Sequence, residues 1–137
     1  MSERTILIVD DDDDMRFVLR GLLEPLGRIL DASNGPDALK LVKAERPALM
    51  LLDVSLPGMD GLAVLAEALK LNPKLPTVML TGDTDVHMAK RALDAGARAY
   101  ITKPFEPATM CAEIKRLAGL DDEPERTNPG RPWRVRR

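Results

Sequence analysis

This chain has few of the residues that most often carry chemistry. Its 137 residues include one cysteine, Cys111, and one histidine, His87. A single thiol excludes an internal disulfide and a cysteine metal cluster. With no cluster of His or Cys, zinc is not the expected metal. Aromatic residues are scarce: two Phe, one Tyr and one Trp. No apolar run nears the ~20 residues of a membrane-spanning helix. The N-terminus enters a strand-like segment after four residues, with no signal-peptide pattern, so the expected location is the cytoplasm. Excess charge is missing as well. The formal net charge of −2 excludes a globally basic nucleic-acid binder.

What the chain does have is aliphatic residues in a repeating order. Thr5–Val9 is an apolar run cut off by acids, as expected of a strand buried on both faces. Met15, Val18, Leu19, Leu22, Leu23 and Leu26 then fall at helical spacing, with Asp12 or Asp13 as the cap and Pro25 and Gly27 as the stop. The alternation repeats four times. Strands are predicted at Arg28–Ala32, Ala48–Asp53, Thr77–Thr81 and Arg98–Thr102. Helices are predicted from Gly35-Pro36 to about Arg46, from Leu62 to Asn72-Pro73, from Val86 to Gly96, and through Met110, Ile114 and Leu117 to Gly119. Five β-α units in series imply an α/β fold, a parallel sheet with helices on both faces and right-handed crossovers. The domain is expected over residues 1–119. Residues 120–137 lose all periodicity, run from acidic to basic, and read as a charged, Pro-rich, flexible tail.

In a parallel sheet of this kind, ligands bind at the carboxyl ends of the strands. There the sequence places Asp10-Asp11, Asp53, Thr81 and, before Pro104, Lys103. Three carboxylates in one cleft repel: two unit charges at about 4 Å interact by ~4 kcal/mol at an effective dielectric of ~20. They call for a hard cation such as Mg²⁺, which takes oxygen ligands. A metal, an ammonium and a hydroxyl are what a transferring phosphoryl group needs, and a carboxylate nucleophile would yield an aspartyl phosphate. Asp10 and Asp11 share a loop and suit the metal. Asp53 stands alone at its strand end and is assigned as the acceptor. Each residue has a plainer role when taken singly: helix-start acids, a turn Asp, a turn Thr, a solvated Lys. The five in register favour the site.

These residues resemble the response-regulator receiver domain of two-component signalling. The matching segments are I-L-I-V-D10-D11, L-L-D53-V-S-L-P-G-M-D-G61, M-L-T81-G and Y100-I-T-K103-P-F105, across roughly residues 4–118. The resemblance implies a flavodoxin-like doubly wound sheet in the order 2-1-3-4-5. It implies phosphorylation of Asp53 by a histidine kinase or histidine phosphotransfer protein. Mg²⁺, with Mn²⁺ as a substitute, would be held by Asp10, Asp11, Asp53 and the backbone carbonyl of Ser55. Lys103 would contact the phosphoryl group, and its bond to Pro104 would be cis. Thr81 and Tyr100 would form a switch pair that remodels the helix 4–strand 5–helix 5 face for a downstream effector. Ser55 and Asp83 would tune phosphate lifetime. The receiver itself would touch neither membrane nor nucleic acid, and would be a monomer or a phosphorylation-dependent dimer.

Other readings are weaker. A phosphorelay intermediate, handing the group to a further histidine protein, uses the same residues. A Mg²⁺-dependent aspartyl-phosphate phosphatase would want an acid two residues after the nucleophile, where Ser55 stands. A flavin site would need a phosphate-cradling loop where five aspartates lie. His87 is expected to be an exposed helix residue and Cys111 a small buried one. Trp133 with Arg131, Arg134, Arg136 and Arg137 offers either a disordered tail or a docking arm.

Overall fold

The structure is a computed structural model that describes residues 4–82 and 86–119. Its strands are β1 (Thr5–Val9), β2 (Arg28–Ala32), β3 (Leu49–Asp53), β4 (Thr77–Gly82) and β5 (Ala99–Lys103). Its helices are α1 (Asp13–Leu23), α2 (Gly35–Glu45), α3 (Gly61–Leu71), α4 (Val86–Asp94) and α5 (Pro107–Leu117). The sheet is parallel throughout, in the order β2-β1-β3-β4-β5. This is the doubly wound α/β fold expected from the sequence.

Side-chain alternation along each strand splits the core into two layers. Leu7, Val9, Met50, Leu52 and Met79 point to one face, where α2, α3 and α4 pack through Val42, Leu65 and Ala92. Ile6, Ile8, Leu49, Leu51, Val78 and Leu80 point to the other, against Leu19 and Leu23 of α1 and Met110 and Ile114 of α5. Every residue of β3 is buried, which explains its unbroken apolar run. Each fully buried aliphatic side chain contributes roughly 1.5–3 kcal/mol of transfer free energy.

Several boundaries shift. Helix α1 begins at Asp13, capped by Asp12, whose carboxylate accepts from the N–H groups of Asp14 and Met15. Pro25 sits in a short 3₁₀ turn, Glu24–Leu26. Strand β5 includes Lys103, one residue beyond the predicted end. Val18 was expected on the buried stripe but is half exposed, beside the still more exposed Phe17. The stripe is carried by Leu19 and Leu23, four apart, and Val18 lies one residue off it. Cys111 is half-buried instead of buried, and burial pushes its thiol pKa up. His87 is exposed on α4. Among the described residues no helix is long and apolar enough to cross a membrane. The 120–137 segment lies outside the described residues.

Candidate phosphoacceptor site

The strand order reverses between β1 and β3, and the crevice of such a fold opens at that point. Asp10 follows β1, Asp53 ends β3, and carboxylate oxygens of Asp10, Asp11 and Asp53 lie within 4.8 Å of one another. Asp10 is fully buried and Asp53 nearly so, while Asp11 is exposed. The triad therefore has a closed floor and an open lip.

The two buried carboxylates are held alike. One oxygen of each accepts a backbone N–H two residues on, from Asp12 to Asp10 at 2.9 Å and from Ser55 to Asp53 at 3.0 Å. These are Asx turns, which fix a side chain against its own loop. The other oxygen faces the Lys103 ammonium, 3.5 Å from Asp10 and 3.3 Å from Asp53. Lys103 is delivered by β5, and the peptide bond from it to Pro104 is cis.

Burial raises the Asp10 pKa, and the charge of Asp53 adds to this; the Asp12 amide and Lys103 oppose it without cancelling it. Burial also pulls the Lys103 pKa down, but the charges of Asp53 and Asp10 outweigh that and leave it raised. A single ammonium against three carboxylates leaves the crevice anionic. Its donors are all carboxylate oxygens, which fit a hard divalent cation and not a thiophilic one.

Thr81 lies near the end of β4, between the strands that carry Asp53 and Lys103. Its hydroxyl is buried and has no hydrogen-bond partner. A buried hydroxyl without a partner is costly, so it is a donor in reserve. Tyr100 is on β5, 42% exposed. Ser55 is exposed on the loop after β3. Asp83 lies outside the described residues.

One residue escaped the sequence reading. Arg16 donates to the Asp10 carbonyl at 2.6 Å, pairs with Asp13, and reaches toward Asp31 at 3.9 Å. Arg20 fixes Asp31 in turn at 2.8 Å. The guanidinium thereby ties α1 to the loop that carries Asp10 and Asp11. The only hint in sequence was a lone cation in an otherwise acidic helix start.

A family model described as the response regulator receiver domain matches residues 6–115. The chain belongs to the response regulator receiver family. The DNA-binding response regulator MtrA of Mycobacterium tuberculosis is 41% identical over 123 residues, 87% of this chain and 53% of that protein. The probable transcriptional regulator ycf27 of Porphyridium aerugineum is 34% identical across 93% of this chain and 53% of that protein. This receiver thus spans about half the length of these curated relatives. Among solved structures, a CheY-like receiver domain protein of Methanospirillum hungatei superposes with a TM-score of 0.81 at 34% identity, covering 86% of this chain and 95% of that one. NtrX of Brucella abortus, solved with ADP, gives the same TM-score and identity over 87% of this chain but only 27% of its own.

Proposed function

We propose that this receiver accepts a phosphoryl group on Asp53 from a phosphohistidine of a kinase or phosphotransfer protein, and that the modification switches its α4-β5-α5 face for a partner. The observation that carries the reading is the carboxylate triad, bridged by Lys103 and adjoined by the unpartnered buried hydroxyl of Thr81. A carboxylate oxygen of Asp53 attacks phosphorus; the P–O bond forms as the P–N bond breaks, and the imidazole leaves with the electron pair. Lys103 lies against the transferred group's oxygens, and the Thr81 hydroxyl turns toward one of them, ending its lack of a partner. Asp10, Asp11, Asp53 and the Ser55 carbonyl would hold Mg²⁺ or Mn²⁺, which supplies positive charge to the phosphoryl oxygens. Movement of Thr81 frees space into which Tyr100 turns. Ser55 and Asp83 set how long the phosphate survives, and turnover is slow without an acid at position 55.

Acetyl phosphate with Mg²⁺, read by intact mass, tests this. One phosphoryl group is expected on the wild-type chain and none on Asp53→Asn. Stoichiometric labelling of Asp53→Asn would sink the assignment. Transfer from phosphorylated Asp53 back to a histidine phosphotransfer protein would mark a relay intermediate instead of a terminal switch.

A further inference from the structure

Beside β5 lies a groove of about 400 Å³ that the phosphoacceptor chemistry does not use. Its walls mix apolar Tyr100, Pro104, Phe105 and Met110 with Glu106 and Glu113. It runs along an edge strand, paired on one side only, and such edges attract extended segments. Its volume lies in the range that accepts one large side chain with neighbours.

We propose that the groove is the docking site of this chain's own 126–137 segment, with Trp133 against its apolar residues and Arg131 and Arg134 against Glu106 and Glu113. Charge is the first argument. Residues 126–137 contain five arginines and no acid, which leaves 15 of the 20 basic residues against all 22 acids in 1–125, a formal −7. A basic arm tethered to an acidic body is attracted to it. Glu106 caps α5 through Thr109 and Glu113 pairs with Arg116, yet a carboxylate has about four acceptor sites, so each retains capacity for a guanidinium.

Reach is the second argument. Glu106, Thr109, Met110 and Glu113 place the groove beside the first half of α5, whose 11 residues span about 16 Å. Thirteen residues lie between Gly119 and Trp133. A coil of that length averages about 20 Å end to end. A span matched to the tether puts the effective concentration near its maximum, in the millimolar range. The aromatic is the third argument. The groove adds to its charge an apolar seat for the indole, which a run of aspartates such as Asp10–Asp14 does not offer. Docking there covers part of the face through which a receiver would meet its partner, and so acts as an autoinhibitory contact. It does not depend on which aspartate is phosphorylated.

The chain carries its own probe. Tyr100 is its single tyrosine and lines the groove, and Trp133 is its single tryptophan. Energy transfer from one to the other falls steeply with distance. The full chain is expected to show transfer that is independent of protein concentration. It should drop by roughly half or more as about 1 M salt shortens the Debye length to about 3 Å. The Glu106→Gln/Glu113→Lys double variant should lose it likewise, with helical circular dichroism retained. Absence of transfer in the wild-type chain overturns the proposal, and that measurement needs no variant. Transfer that grows with concentration assigns the groove to a second copy and also overturns it, as does transfer that survives the double variant.

Discussion

The Lys103 ammonium lies 3.3 Å from the Asp53 carboxylate although β4 separates their strands. The lysine spans the crevice floor, and its second contact, 3.5 Å to Asp10, ties three strands together at one charged point. Among the described residues, removing it removes the cation that contacts Asp53, where charge would spread over a transferring phosphoryl group. Lys103→Ala is expected to lower the rate of phosphorylation by acetyl phosphate about a hundredfold, the scale of a lost electrostatic contact in a transition state. Lys103→Arg should recover part of it. Stopped samples analysed by mass give both rates.

The same contacts make Lys103 a competitor for the cation. Its ammonium occupies one oxygen of Asp10 and one of Asp53, two of the three carboxylates that would hold the metal. Lys103→Ala should therefore bind Mg²⁺ at least as tightly as wild type while being phosphorylated far more slowly. For wild type, Mg²⁺ at a hundred times its Kd should add about 2.7 kcal/mol to unfolding stability. Asp53→Asn should lose most of that gain. Calorimetric titration of both variants without a phosphodonor separates metal binding from transfer. Parallel loss of both in Lys103→Ala would remove the competition.

Asp10 predicts a pH dependence. Burial holds its folded pKa above the ordinary 3.8. Between 3.8 and that raised value the folded state binds more protons than the unfolded chain, so stability falls as pH rises through the window. At pH 7, without divalent ions, the ionised buried Asp10 is a net cost. Asp10→Asn should then raise stability, read as a higher Tm than that of the wild type. The difference should vanish below pH 3.8, where both states of the wild type are protonated. Lys103 runs the other way: its raised pKa gives stability that is complete at neutral pH and is lost as pH climbs through the folded value, above 10.5. Melting curves from pH 3 to 8 test the Asp10 part, and an Asp10→Asn gain that persists at the acid end would contradict it.

The sheet and the crevice were legible because their signals are local. Unbroken runs such as Leu49–Asp53 mark strands buried on both faces, and the acids that end them mark the carboxyl edge. Less legible was anything set by three-dimensional aim. Val18 fits the helical period yet faces solvent, because a stripe centred on Leu19 and Leu23 suffices to seat α1. Lys103 was read as a phosphoryl contact, but its bond to Asp10 depends on both side chains reaching across the ends of two intervening strands, β3 and β4. Arg16 has Asp12 and Asp13 at helical spacing, which the sequence shows; its tie to the Asp10 carbonyl is made by the turn between β1 and α1 and is not visible in the spacing.

Gly61 gives a stability prediction that reports on the site. It opens α3, and its N–H donates to the Val54 carbonyl at 2.9 Å. A Cβ there would stand 2.6 Å from the Asp53 carbonyl oxygen and 2.7 Å from both Cα and O of Val54. All three are backbone atoms and cannot rotate aside, so the end of β3 must shift. Gly61→Ala is expected to cost about 1–3 kcal/mol, the scale of overpacking, or about 3–5 °C in Tm per kcal/mol. Because the displaced backbone is that of Asp53, phosphorylation should slow as well. Gly21 supplies the contrast. It is exposed within α1, and a Cβ there meets nothing within 4 Å. Gly21→Ala should stabilise by roughly 0.5–1 kcal/mol through helix propensity alone and leave the phosphorylation rate unchanged. Melting temperature and labelling rate, measured on both variants, separate a strained site from a general effect of glycine replacement. Equal rates in the two would show that the β3 end tolerates the shift.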